Sequence, residues 1–156
     1  MICRSDPVVA IEYMRDGTPV EVYHTENITK SVMYTFYLRQ LAELIDRKLT
    51  IPVSKKKSDA EFSAVYVMAN GIVLGHIVYD TVIEKRTSSI VLSAVKNDIR
   101  GGGLYMILHK YFEMYAKLEG STKITSWTHK NNVSRQRSAA KVGLTSEYVV
   151  MAKYVR

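Results

Sequence analysis

The chain is poor in the residues that build staples, anchors and metal sites. Its single cysteine, Cys3, cannot close an internal disulfide, and its place at the N-terminus gives no basis for a thiol mechanism. No apolar run approaches the roughly 18 residues needed to cross a bilayer. Arg4, Asp6 and Glu12 break up the stretch where a signal-peptide core would stand. The expectation is a soluble, cytoplasmic protein without a membrane partner. The four histidines, His24, His76, His109 and His129, show no ligand spacing such as i, i+4, so no metal is expected. No Gly-Lys-Ser/Thr follows a glycine loop, no dinucleotide fingerprint is present, and there is no internal repeat or low-complexity tract.

What the sequence does have is core-forming content. With 156 residues and 47% hydrophobic composition, it is long enough for one compact domain over 1–156 and too short for two. Lysine and arginine number 22 against 15 carboxylates, a formal charge of +7 that favours anionic partners. The run Lys55-Lys56-Lys57 reads as a solvated loop; the cluster Lys130, Arg135, Arg137 and Lys141 flanks a predicted helix after Trp127.

Patterning along the chain predicts an α+β arrangement. Alternating segments from Pro7 to Tyr13 and Pro19 to Tyr23 around Asp16-Gly17 read as a hairpin. A helix is predicted from about Lys30 to Lys48, capped by Asn27 or Thr29, with Val32, Phe36, Leu38, Leu41, Leu44 and Ile45 on one face. Ile51-Pro52-Val53 ends it, and a loop follows to Ala60. Ala64 to Met68 and Ile72 to Tyr79 flank Asn70-Gly71, the strongest short hairpin signal. A strand from Ser88 to Val95 comes next, after Glu84-Lys85-Arg86. The helix from Leu104 to Leu118 carries apolar residues at Leu104, Ile107, Leu108, Tyr111, Met114 and Tyr115, and Gly120 stops it. A strand from Lys123 to Thr128, a short helix from Asn132 to Lys141 and a last strand from Thr145 to Val155 complete the order.

The segment between the third of these strands and the long helix, Arg100-Gly101-Gly102-Gly103-Leu104-Tyr105, carries the chemistry. A strand, a glycine turn and a helix N-terminus gather free backbone N–H groups and the positive end of the helix dipole, and glycine lets a phosphate reach the main chain. Such a turn also serves as a plain strand-to-helix connection. With neither standard phosphate-loop spacing present, the sequence points to a pyrophosphate held by backbone and one arginine rather than to a metal-bound nucleotide.

These elements resemble the GNAT superfamily of acyl-CoA-dependent N-acyltransferases over roughly Phe62 to Val155. The family's acyl-CoA loop is Arg/Gln-x-x-Gly-x-Gly/Ala, and Arg100, Gly103 and Tyr105 fall on its fixed positions. The family's asparagine at the start of a short helix, eleven residues before a Gly-Phe pair, is matched by Asn132 ahead of Gly143, with Leu144 in place of phenylalanine. The resemblance implies a mostly antiparallel mixed sheet, splayed in the middle, with helices on both faces. It implies that acetyl-CoA (coenzyme A) enters between the strands Ser88 to Val95 and Lys123 to Thr128. Main-chain groups near Ala94 and Val95 would bond its pantetheine. Arg100 and the N–H groups of Gly101, Gly102, Gly103, Leu104 and Tyr105 would hold its pyrophosphate, and Asn132 would complete the cofactor-binding set. The activity implied is acetyl transfer to the primary amine of an acceptor by direct attack.

The departures from the family matter equally. Tyr105 stands where glycine or alanine is usual, so its ring must turn away from the phosphates or crowd them. Ala139 stands where many members carry a tyrosine acid, leaving Ser134 as the nearest hydroxyl. The strand offers Ser88 and Ser89 where a carboxylate base is common, and Asp80 on the preceding strand is the substitute. Phe36, Tyr37, Tyr79, Trp127 and His129 are candidates for an acceptor pocket or for ordinary core. Two alternatives stay open. One is a catalytically degenerate GNAT-like binding or assembly protein, of a kind some viruses encode. The other is a GNAT-like protein acting on or binding nucleic acid, motivated by the +7 charge.

Overall fold

The computed structural model describes residues 6–49, 58–99, 101–126 and 131–146. Cys3, Lys55-Lys56-Lys57, Arg100, Trp127, His129, Lys130 and nearly all of the predicted strand Thr145 to Val155 lie outside the described residues.

Among the described residues six strands run β1 (Val8–Tyr13), β2 (Pro19–Thr25), β3 (Ser63–Ala69), β4 (Ile72–Val82), β5 (Thr87–Val95) and β6 (Lys123–Ser126), and they lie side by side in that order. β1 to β5 are antiparallel neighbours, and β6 joins β5 in parallel. The parallel pair needs a crossover, and α2 (Leu104–Leu118) supplies it. α1 (Tyr34–Asp46) connects β2 to β3, and α3 (Val133–Lys141) follows β6.

Alternation along the strands makes two cores. Val65 and Val67 of β3 and Ile77 and Tyr79 of β4 point to one face, where Leu104, Leu108, Phe112 and Ala116 of α2 cover them at four-residue spacing. Ala64, Tyr66 and Val78 point to the other, against Ile28, Met33 and Tyr37. This is an α+β fold with a mostly antiparallel sheet and helices on both faces. Among the described residues no helix is long and apolar enough to cross a membrane.

Several boundaries differ from the sequence reading. Asn27 caps a separate single turn, Ile28–Lys30, through its side chain and the Thr29 N–H, and α1 begins only at Tyr34. The buried residues are Met33 and Tyr37, while Val32, Leu38 and Ile45 are exposed. The predicted face was therefore rotated, because the two turns were merged into one helix. On α2, Phe112, His109 and Ala116 are buried and Met114 is exposed, since the stripe follows a steeper line than the one read from the apolar residues. Gly120 does end α2: it has a φ of +89° and its N–H bonds Lys117 O, while Ser121 N–H bonds Ala116 O at 2.9 Å.

Two packing features bear on stability. A Cβ at Gly75 would lie 2.9 Å from the Ala94 carbonyl oxygen and 3.2 and 3.3 Å from methyl carbons of Leu108 and Leu104. The bare glycine therefore sets how closely α2 sits on β4 and β5. His76, the next residue, is fully buried on the opposite face, with Phe36 edge-on at 5.3 Å and Tyr37 at 6.0 Å. Burial pushes its imidazole down to about 3, so it is neutral in the fold.

Gly75→Ala is expected to lower unfolding free energy by about 1–3 kcal/mol, through overpacking against a backbone oxygen that cannot turn aside. Urea denaturation measures it. His76 gives a second expectation. Unfolded histidine binds its proton near pH 6.5 and the folded one only near 3, so stability is complete above 6.5 and falls as pH drops between those values. His76→Leu should remove that part of the acid limb, about 2–3 kcal/mol of the difference between pH 7 and pH 4.5.

Candidate functional site

The end of β5 is tied to its neighbour by Lys96 N–H to Leu74 O at 2.8 Å, and the chain then makes one tight turn over Asn97–Ile99. The glycine turn follows. Gly101 and Gly103 have φ values of +85° and +84°, a region that L side chains rarely enter. Gly103 caps α2 without a side chain to occupy the helix amides. The first i to i−4 bond of the helix runs from Ile107 N–H to Gly103 O at 3.3 Å. The N–H groups of Leu104, Tyr105 and Met106 thus belong to the uncapped first turn. Gly102 N–H is used internally, on Ile99 O at 3.3 Å.

A residue missed by sequence reasoning completes this turn. The β1–β2 hairpin turn folds over it: Arg15 N–H donates to Gly102 O at 3.0 Å, and Arg15 Nη1 donates to Gly101 O at 3.1 Å. The Arg15 side chain passes 3.3 Å from where a Gly103 Cβ would be. An exposed guanidinium from the other end of the chain therefore stands at the N-terminus of α2. No local signal marks Arg15; only the strand order that brings β1–β2 alongside β3 and β4 places it.

Beside the turn, Ala94 and Val95 pair with His76 and Gly75 of β4 on one side. On the other side β5 pairs with β6 only from Thr87–Lys123 to Ile90–Ser126. Residues 91–95 have no strand against their outer edge among the described residues. A bulge marks the change, for Val78 pairs with Leu92 and Tyr79 with Ile90, leaving Val91 as the extra residue.

Tyr105 turns inward. Its ring lies 5.2 Å from the Arg135 guanidinium carbon and 5.9 Å from the His109 ring, and burial raises its hydroxyl pKa against the opposing influence of Arg135 and Ser93. Arg135, read from sequence as part of a basic cluster with Arg137 and Lys141, is half-buried, with Nη2 donating to Ser126 Oγ at 3.0 Å. It does not extend a solvent-facing basic stripe. Asn132 caps α3, its side-chain oxygen accepting from Arg135 N–H at 3.2 Å. The other end of α3 closes at Gly143, whose φ is +88°.

The sequence candidates for proton transfer fall on separate elements. Asp80 lies in the second half of β4, in register with Ser89. Ser134 is exposed on the first turn of α3, where its carbonyl accepts from Ser138. Ser88 is buried and bonded to Ser121 at 2.7 Å and Thr81 at 2.9 Å, and Ser89 is bonded to Thr125 at 2.7 Å. Those serines fasten β5 to its surroundings. Tyr79 is core, holding Glu119 at 2.9 Å and His24 at 2.8 Å. Since its one proton goes to Glu119, His24 Nε2 must be the donor to the phenol oxygen. Tyr37 is also buried. Of the candidate aromatics, only Phe36 is described and not fully buried.

No protein-family model and no curated protein matches the sequence. Solved structures do match in shape. The ribosomal-protein-alanine N-acetyltransferase of Brucella melitensis biovar Abortus 2308 aligns with a TM-score of 0.63 at 11% identity, over 87% of this chain and 99% of that one. An aminoglycoside acetyltransferase from an uncultured soil metagenomic sample, in complex with sisomicin, aligns at 0.64 and 12%, over 88% and 95%. The aminoglycoside N-acetyltransferase AAC(6')-Iy in complex with CoA aligns at 0.62 and 16%, over 86% and 98%. A sheet with six described strands, a glycine turn feeding α2, and these alignments over most of both chains give this protein the fold of the GNAT acetyltransferases.

Proposed function

We propose that this chain is an acyl-CoA-dependent N-acetyltransferase, and the observation that carries the reading is the uncapped first turn of α2 beside the edge of β5 that no described strand covers. The residues suit a coenzyme A thioester. Backbone amides at 104–106 belong to an uncapped helix start whose glycines add no side chain of their own, with Arg15 lying beside Gly103 and Met14 beside Gly102, and the helix dipole favours a diphosphate there. Arg15 adds charge to that place, beside the contribution expected of Arg100. The edge of Ala94 and Val95 suits a pantetheine lying alongside as an added strand. Asn132, though used as a cap, stays in the proposed cofactor set.

Bound acetyl-CoA supplies a thioester that an amine can attack directly, giving an N-acetyl product and a free thiol. The protein's part is to hold the two reactants together and to handle protons. Residues 89 and 95 are roughly 20 Å apart at about 3.3 Å per residue, so Asp80, across from Ser89, stands well along β5 from the glycine turn. There its carboxylate would take the proton the amine loses. Ser134 Oγ is assigned the return of a proton to the departing sulfur. Backbone N–H groups along the free edge at 91–95 would polarise the carbonyl oxygen.

Titration calorimetry with acetyl-CoA is the test. The expected result is saturable 1:1 binding that weakens about tenfold, or ~1.4 kcal/mol, in Arg15→Ala and weakens with added salt. Binding of the S-acetyl ester of N-acetylcysteamine, which lacks phosphate, should not respond to Arg15→Ala. A folded protein that binds no acyl-CoA would sink the assignment and favour the assembly-protein alternative.

A further inference from the structure

Three elements bury four polar side-chain atoms around one aromatic ring, Ser93 Oγ on β5, Tyr105 Oη and His109 Nε2 on α2, and Arg135 Nη1 on α3; none makes a well-formed hydrogen bond among the described residues, while the Tyr105 hydroxyl stands within reach of Ser93 and Arg135. Folded proteins leave only a few such atoms in each hundred residues, so four at one locus mark a place for a polar occupant. His109 is 3% exposed, and its other nitrogen is held by Glu113 at 3.1 Å.

Arg135 decides what that occupant is. A guanidinium keeps its charge in any protein environment, and burying it without a counter-ion is costly. Its described partners are the Ser126 hydroxyl and the ring and hydroxyl of Tyr105, all neutral. No carboxylate lies within ion-pair distance of it among the described residues, and Glu113 is engaged by His109. Ser93 Oγ, Tyr105 Oη and Arg135 Nη1 can all donate, which suits a group that only accepts; His109 Nε2, left as an acceptor by the Nδ1 bond to Glu113, is not one of its donors. That place adjoins Ser93, within the stretch of β5 that has no strand outside it among the described residues, and the first turn of α2 that holds Tyr105.

We propose that Arg135, supported on the Tyr105 ring and flanked by Ser93, is an oxyanion seat that takes a phosphate or carboxylate group of the acyl donor entering at β5. The inference rests on the acyl-CoA reading above and names a charge-reading residue in the same site. It also accounts for the residue that departs from the family loop. Tyr105 serves as the platform and hydroxyl donor of the seat, which a glycine or alanine could not provide. A guanidinium can meet a phosphate or carboxylate through two parallel N–H bonds, giving geometric selectivity as well as attraction.

The experiment compares Kd values at fixed ionic strength for acetyl-CoA, its 3′-dephospho form, S-acetylpantetheine and succinyl-CoA. The proteins are the wild type, Arg135→Gln, Arg135→Lys and Tyr105→Phe, each checked for folding by circular dichroism. In the wild type, removing one phosphate group is expected to weaken binding at least tenfold, or adding the succinyl carboxylate to strengthen it at least tenfold. The first result identifies a phosphate as the occupant and the second a carboxylate. In Arg135→Gln that same ratio should shrink to within twofold, with Arg135→Lys and Tyr105→Phe between the two. A ratio unchanged in Arg135→Gln, or a wild type indifferent to every one of these charges, overturns the seat and leaves a water-filled pocket. If Arg135→Gln does not fold, an unchanged ratio in both Arg135→Lys and Tyr105→Phe has the same force. A wild type that binds none of the four ligands sinks the acyl-CoA reading itself, and the seat with it; binding without dependence on Arg135 sinks the seat alone.

Discussion

The absence of a side chain at Gly75 governs the geometry on which everything else depends. Leu104 and Leu108 fill the space that a Cβ would take, and the Ala94 carbonyl closes it from the neighbouring strand. The first turn of α2 is therefore drawn down onto β4 and β5 at the level where β5 ends. Dispersion and apolar burial along Leu104, Leu108, Phe112 and Ala116 then fix the helix axis. A helix dipole acts only within about its first turn, so its usefulness depends on where that turn is held. Packing at residue 75 thus becomes electrostatics at residues 104–106.

The glycine turn would be a poor anchor on its own, because glycines give up the most conformational freedom on folding. The β1–β2 turn offsets that cost. Arg15 bonds the carbonyls of Gly101 and Gly102, and the Met14 side chain lies against Gly102. Further along, Glu12 of β1 accepts from Lys110 and Tyr111 of α2. The exposed Lys110 contributes little to stability by itself. Together these contacts tie the N-terminal hairpin to the helix, so that the carbonyls of the turn are engaged and its leading amides are left outward.

Patterns confined to one element were legible in the sequence, and relations between elements were not. Asn70-Gly71 specified its hairpin because both residues adopt φ > 0, at 51° and 74°, as that turn demands. Gly120 and Gly143 specified helix ends for the same kind of reason. α1 was misplaced because an extended Ser31 breaks what periodicity alone reads as one helix, and period counting does not sense a single φ/ψ change. The glycine turn was identified, yet Arg15 was not, since the two lie far apart in sequence and meet only through sheet order. Gly75 looked like any strand residue, because its role is to leave room for a helix thirty residues later. Ser88 and Ser89 were candidates by position, and only their partners Ser121, Thr81 and Thr125 show them to be fasteners.

Proton handling need not be concentrated in one strong base for this fold to work. An amine attacking a thioester requires chiefly that it be neutral, near and aligned, and positioning can supply most of the barrier reduction. The chain has invested its buried polarity elsewhere. Its hydroxyls on β5 hold β6 and the loop after α2, and its buried phenol Tyr79 links His24 to Glu119 within the core. Among the described residues, the buried polar groups without a well-formed hydrogen bond, apart from His76, gather around Tyr105, on the donor side of the proposed site. Under the proposed acyl-CoA reading, polar groups without well-formed bonds among the described residues on the donor side, set against paired hydroxyls along β5, suit a site that discriminates among donors more strictly than it activates acceptors.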